Sequence, residues 1–282
     1  MTVDVEDYFH VQAFAHCISR ARWDGMEWRV QSNVERLLRL FADAGTKATF
    51  FTLGWIADRQ PKLVRRIVAE GHELASHGWD HTRADALDPA TFRAEAQRTR
   101  QVLEDVGGVA VAGYRAATFS IGAANLWAFA ALESAGYRYS SSVNPIRHDL
   151  YGFPEAPRVP FRPDGGWLWE LPLATVRAFG RTLPCAGGGF FRLLPYAAFR
   201  SAIARINRTE RRSAIFYLHP WEIDPDQPRI AGCGWKARLR HYTNLQRTEA
   251  RLERLLGEFA WGRIDQVFAD LLRDSAVAAP GD

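Results

Sequence analysis

Little cysteine, almost no lysine and no long apolar run are the first features of this chain, and each shortage narrows what it can be. Its three cysteines are Cys17, Cys185 and Cys233. They are too few and too far apart for a disulfide framework or a thiolate metal site. Cys185 and Cys233 are the pair that could bond, but free thiols and a reducing compartment are expected. No stretch of about 18 uninterrupted apolar residues occurs, so no membrane span is expected. No cationic segment followed by an apolar run opens the chain, which predicts no signal peptide and a cytoplasmic protein, at most peripheral to a membrane. The basic residues are nearly all arginine, with Lys47, Lys62 and Lys236 the exceptions. They are scattered, so a formal charge of +4 and a pI near 9.1 do not make nucleic acid a partner.

What is present is a large core and a regular alternation. The 282 residues are 47% hydrophobic and 24% charged, outside the composition of disordered chains. Met1 to Val5 has the pattern of a short strand. Val30 to Ala44 carries Val34, Leu37, Leu38, Leu40 and Phe41 at helical spacing and stops at Gly45. Thr46 to Leu53 has a buried-strand pattern, Pro61 to Glu70 is a helix with proline in its first turn, and Glu73 to Ser76 is a strand. Helices over Pro89–Val106, Ala123–Ala135 and Tyr196–Ile206 alternate with a strand and loop at Gly113–Ser120 and strands at Tyr137–Val143 and Ser213–His219. This predicts an α/β fold with a mostly parallel sheet or barrel. One domain is expected over 1–282: a barrel core at 1–143 and 190–222, a Pro- and Trp-rich excursion at 144–189, and a helical extension at 223–282. Within that extension, His241 to Phe259 has a helical stripe and about 276 to 282 the look of a frayed tail.

Polar residues recur at the strand ends. Gly71 to Thr82 reads Gly-His-Glu-Leu-Ala-Ser-His-Gly-Trp-Asp-His-Thr. His77 and His81 are four apart, so their rings can converge on one point, the usual first half of a zinc-type site. Asp4, Glu6 and Asp7 end the first strand, Arg115 the fourth and His219 the last. In a parallel sheet these ends share one face. Two histidines and a carboxylate leave an open position for water on a divalent metal; a second carboxylate can take a proton, and another histidine can give one. Taken singly, each motif has a plainer explanation as a polar loop, a solvated acidic turn or a surface arginine. His72 precedes its strand and is expected to be structural. Trp79 and Trp221, which flank the histidines, are candidates for stacking on a sugar ring.

Together these segments resemble the polysaccharide deacetylases of the NodB-homology type, carbohydrate esterase family 4. The resemblance rests on Thr-Val-Asp-Val-Glu-Asp-Tyr-Phe-His (2–10), Ala-Thr-Phe-Phe-Thr-Leu-Gly (48–54), Gly-His-Glu-Leu-Ala-Ser-His-Gly-Trp-Asp-His (71–81), Gly-Tyr-Arg-Ala-Ala-Thr-Phe-Ser (113–120) and Tyr-Leu-His-Pro-Trp-Glu (217–222). Asp-Pro-Asp-Gln-Pro-Arg (224–229) and His-Tyr-Thr-Asn-Leu (241–245) are similar to the bacterial subfamily of exopolysaccharide and exosortase (PEP-CTERM) loci. The resemblance implies a distorted (β/α) barrel of about seven strands and metal-dependent removal of N-acetyl groups from a polysaccharide or oligosaccharide. It implies Asp4 as base, His77 and His81 as metal ligands, Arg115 as the partner of Asp4, and His219 as acid. It implies a divalent ion, Zn2+ before Co2+ or Ni2+, and Trp79, Trp221 and Tyr114 as substrate contacts. The chain departs from the family pattern twice. Val5 follows Asp4, so the third ligand is Glu6 or Asp7: strand alternation favours Glu6, a turn after Val5 favours Asp7. Tyr139-Ser-Ser-Ser142 lacks the aspartate that supports the acidic histidine in many relatives. Competing expectations are an amide hydrolase of the same fold acting on a small cyclic imide or ureide, and a non-catalytic carbohydrate binder.

Overall fold

The computed structural model describes residues 1–178 and 180–278. Its centre is one parallel seven-stranded sheet built from β1 (Thr2–Val5), β2 (Thr49–Thr52), β3 (Glu73–Ser76), β4 (Gly113–Tyr114), β5 (Tyr139–Ser140), β6 (Trp169–Glu170) and, after the hairpin of β7 (Thr175–Ala178) with β8 (Arg181–Pro184), β9 (Tyr217–Leu218). The order across the sheet is β6-β5-β4-β3-β2-β1-β9. This is the expected α/β distorted barrel. The outer edge of β9 is covered by Ala186 and Gly187, whose backbone pairs with Tyr217.

The first strand lies inside the sheet, between β2 and the last strand, with Thr2 opposite both Thr49 and Tyr217. All residues of β1, β2 and β3 are buried, as expected of parallel strands covered on both faces. The crossovers are α1 (Val30–Asp43), α2 (Gly54–Arg59), α3 (Pro61–Ala69), α4 (Pro89–Gly107), α5 (Trp127–Ser134), α6 (Gly188–Leu193) and α7 (Tyr196–Arg208). Their ends carry the expected chemistry. Asp88 caps α4 by accepting the N–H groups of Ala90 and Thr91, and Gly108 closes it at φ 66°. On one face of the sheet Val3, Val5 and Phe50 pack with Leu37 and Phe41 of α1 and with Leu252 and Leu255 further on. A second cluster holds Leu74, Phe92, Leu103 and Phe129.

The helical extension is α8 (Trp235–Tyr242), α9 (Leu245–Glu258), α10 (Ile264–Val267) and α11 (Ala269–Ala278). The single helix expected over 241–259 is broken because Asn244 takes a left-handed conformation at φ 57°; His241 therefore belongs to α8 and α9 starts afresh. Of the frayed tail expected at 276–282, residues 276–278 continue α11 and the rest lie outside the described residues. Strands expected over 137–143 and 213–219 pair over two residues only, where the neighbouring strand offers partners. The cysteine expectation is corrected: Cys17 and Cys233 form a disulfide across 216 residues of chain, and only Cys185 is a buried free thiol among the described residues. Sequence distance concealed a pair that the fold brings together at the edge of α8. No helix among the described residues is long and apolar enough to cross a membrane.

Candidate metal and catalytic site

Parallel pairing of Asp4 with Phe51, Thr52 with Ser76 and Ser76 with Tyr114 aligns the carboxyl ends of β1 to β4. The residues just beyond them converge. Glu6, His77 and His81 present ligand atoms that all lie within 4.8 Å of one another, and all three side chains are buried. At the end of β1 the Glu6 N–H bonds the Asp4 carbonyl, a tight turn that keeps Glu6 on the site side. The chain does turn after Val5, yet the residue delivered is Glu6. Asp7 faces away: its carboxylate accepts the backbone N–H groups of Tyr8, Arg29 and Val30 at 2.9, 2.7 and 2.8 Å. It pins the start of α1 to a short helical turn at Tyr8–His10. Burial pushes Asp7 up to about 6 against the lowering effect of those donors.

Each of these three candidate ligands is oriented by its surroundings. His77 Nδ1–H donates to the Arg115 carbonyl at 2.9 Å, which leaves Nε2 with its lone pair toward the site. Burial lowers the His77 pKa to about 4, so the ring is neutral. His81 has φ 59°, a left-handed conformation uncommon outside glycine, and it follows Gly78 at φ 77°. This compact loop turns the second ring back on the first, with ring centres 5.4 Å apart. Glu6 Oε2 sits 2.9 Å from His81 Nε2 yet has no hydrogen-bond donor, while Oε1 accepts from Trp221 Nε1 at 3.2 Å. Although burial opposes it, the neighbouring imidazoles of His81 and His219 hold Glu6 well below the usual carboxylate range. A buried carboxylate oxygen without a donor, beside two imidazole nitrogens, is a donor set that fits a divalent cation with a position open.

Asp4 and His219 flank this trio. Asp4 Oδ1 accepts from Arg115 Nη1 at 2.6 Å. Arg115 is wholly buried, and its other donors reach Thr2 Oγ1, the Ser141 carbonyl and Ser141 Oγ at 2.7–3.0 Å. Its guanidinium lies 4.0 Å over the Phe51 ring. On the other side His219 follows β9, stacks on Trp221, and brings Nε2 to 3.4 Å from Glu6 Oε1. Its Nδ1–H donates to Glu222 Oε1 at 2.8 Å, and Glu222 accepts from Arg192 Nε at 2.7 Å. Burial alone would lower the His219 pKa, but Glu6, Glu222 and Asp4 outweigh it and raise it to about 9. Arg192 and His219 in turn hold Glu222 at about 2 against the effect of burial. The support missing from the serine stretch thus comes from a glutamate three residues after the histidine. The stretch has another use: Ser141 holds Arg115, and Ser142 Oγ accepts the Ala116 N–H.

These groups open into a cavity of about 290 Å³, with Asp4, Glu6, His77, His81 and His219 in its wall. Trp221 is part of its wall, with the indole between His219 and His241, ring centres 5.0 and 4.1 Å away, and its N–H engaged by Glu6. Two expected substrate contacts do not reach it. Trp79 packs on Gly54, where a Cβ would fall 2.5 Å from the indole, and is covered by Arg98 at 3.6 Å. Tyr114 is buried against Phe92 and Tyr137. A tryptophan beside a ligand on a sharp loop need not share its direction, because the loop reverses between them. His72, as expected, is structural, accepting the Ala48 N–H between Phe41 and Phe50. Sequence reasoning missed Tyr151, Phe190 and His241 in the wall. Their signal was weak, since Tyr151 comes from the excursion, Phe190 from a short helix just after it and His241 from the extension, where no strand pattern orients them.

Comparison with known proteins now bears on this geometry. Residues 23–140 match the model of the family described as Polysaccharide deacetylase. This segment is similar to the polysaccharide deacetylases. Residues 141–269 match a domain of unknown function, DUF3473. The deacetylase match contains His77, His81 and Arg115; Asp4 and Glu6 precede it, and His219 and Glu222 fall in the other match. Among curated relatives, a chitooligosaccharide deacetylase of Bradyrhizobium sp. is 46% identical over 48 residues, 17% of this chain and 22% of that protein. A peptidoglycan-N-acetylglucosamine deacetylase of Bacillus cereus is 31% identical over 75 residues, 27% of each. The chain thus spans about a quarter of the length of these relatives. A solved Mycobacterium smegmatis protein assigned to the polysaccharide deacetylases shares the fold, with a TM-score of 0.61 and 22% identity over 98% of this chain and 90% of that one.

Proposed function

We propose that the protein is a metal-dependent hydrolase that removes N-acetyl groups from amino sugars of a bacterial extracellular polysaccharide or its precursor. Its similarity to the exopolysaccharide and exosortase subfamily motivates the polymer. The observation that carries the reading is the convergence of Glu6, His77 and His81, with Glu6 Oε2 lacking a donor, between Asp4 on one side and His219 on the other. Two imidazoles and one carboxylate with an open position suit Zn2+ before Co2+ or Ni2+. When bound, the ion would polarise a water and the amide carbonyl.

The protein groups supply the rest. Asp4, fixed through Oδ1 by Arg115, takes a proton from the attacking water at its other oxygen. His219, held protonated and oriented by Glu222, donates from Nε2 to the amine nitrogen as the C–N bond breaks. Water adds to the acetyl carbon, and the products are acetate and a free amine. The apolar wall of Phe119, Tyr151 and Phe190 limits water around the reacting amide.

The test is acetate release from N-acetylglucosamine oligomers before and after chelation. Activity lost with chelator and restored by zinc is expected. Absence of release from every acetylated oligomer, with metal bound, would overturn the substrate; absence of metal after zinc loading would overturn the mechanism.

A further inference from the structure

Helix α8 carries an apolar strip that nothing in the described chain covers. Its inner face belongs to the site: Ala237 and His241 line the cavity, and His241 stacks on Trp221. Trp235 and Leu239 are four apart on the opposite face and are 70% and 59% exposed. Trp235 is the most exposed large hydrophobic residue of the described chain. At the end of α6, Leu193 is 50% and Leu194 37% exposed. Arg192 binds the two helices together by donating to the carbonyls of Arg240, His241 and Thr243. The Cys17–Cys233 disulfide anchors the chain just before α8. α8 is therefore held in place from its inner side, where Ala237 and Arg240 line the cavity with Leu193.

Charge decides what fits it. Between Asp226 and Glu249 there is no acidic residue, while Arg229, Lys236, Arg238, Arg240 and Arg247 are basic. Arg240 pairs with Asp149 at 3.1 Å, and Arg229 lies over Tyr242. Lys236 and Arg238, which flank Trp235 and Leu239, form no ion pair among the described residues. A neutral glycan offers such cations no partner. An exposed tryptophan with leucines, ringed by cations, is the composition of a surface that settles at the headgroup level of an anionic bilayer.

We propose that the outer face of α8, with Trp235, Lys236, Arg238 and Leu239, docks the protein on an anionic lipid surface. Docking rests on the strip and its charge alone, so it stands or falls apart from the proposed deacetylation. With so few apolar side chains, binding depends on anionic lipid and weakens in salt.

The full chain is sedimented with vesicles of phosphatidylcholine alone and of equimolar phosphatidylcholine and phosphatidylglycerol. Binding to the mixed vesicles only, reversed by salt, is expected. Trp235→Ala with Leu239→Ala, and separately Lys236→Glu with Arg238→Glu, should each weaken it roughly tenfold or more, with thermal melting unchanged. Equal sedimentation with and without phosphatidylglycerol, or unweakened binding by both folded variants, would overturn the proposal. So would loss of chitooligosaccharide affinity, or of self-association, in the Trp235→Ala variant without any vesicle binding, which would reassign the strip to a glycan or a second copy.

Discussion

Asp7 accepts three backbone N–H groups, whereas Glu6, its neighbour, has an oxygen facing two histidines and no donor. Two substitutions separate these roles. Glu6→Gln should abolish bound metal in the purified protein, measured by elemental analysis. Asp7→Ala should keep metal and lower the unfolding free energy by about 1–2 kcal/mol, since it removes two helix-start acceptors. Metal loss in Asp7→Ala at full stability would reverse the assignment. A second pair concerns chemistry: Asp4→Asn should keep metal and lose activity by roughly 10²–10⁴-fold, the usual worth of a general base, while His77→Ala should lose both. Equal metal loss in the two would remove Asp4 from the role of base. The sequence showed which residue types stand at these strand ends, but not which of two adjacent carboxylates would point inward. That is decided by the turn at Val5 and by the need of α1 for an acceptor at its start, a contact 22 residues away.

Among the elements, the regular strands and amphipathic helices of the first half were legible because burial imposes period 2 or 3.6 on them. The elements that carry His219 and its support were less so. β9 pairs over two residues, α6 and α8 are short, and Glu222 is fixed by Arg192, a contact 30 residues away that no local pattern shows. Packing here is tight: a Cβ on Gly188 would meet Glu222 Oε1 at 2.1 Å. Gly188→Ala should therefore displace Glu222 and lower kcat without removing metal. pH gives a sharper readout. His219 is an acid only while protonated, and its pKa is raised, so activity should fall as pH rises through about 9. Glu222→Gln removes a charge that raises it, so the alkaline limb should move to lower pH. A cation beside Glu6 opposes part of the rise, which makes the shift between variants the quantity to measure. An unmoved limb would separate Glu222 from the proton donor.

At the scale of the whole molecule, the site draws on the first strand, the deacetylase match and the domain of unknown function together. Cys17 and Cys233 join the two ends of that arrangement, and the pairing removes the cysteine argument for a reducing compartment. Cys17→Ser should lower the unfolding free energy by about 2–4 kcal/mol in denaturant titration, and the same loss should follow reduction of the unsubstituted protein. No change in either would mean that the thiols are unbonded in solution. Sequence spacing could not reveal this pair, because 216 residues of intervening chain are folded between them.

The place of β1 between β2 and β9 also governs when the protein comes to life. Thr2 bonds Phe216 across 214 residues, so the sheet closes only after nearly all of its strands have been made. A nascent chain that has just released β4 holds Asp4, Glu6, His77, His81 and Arg115, yet lacks its proton donor. Such long-range closure is slow, and until it happens both edges of β1 depend on partners that arrive at different times. Under the proposed chemistry, the half that gathers Glu6, His77 and His81 can thus form ahead of the whole, and the nascent chain would stay silent until its last strand docks beside its first.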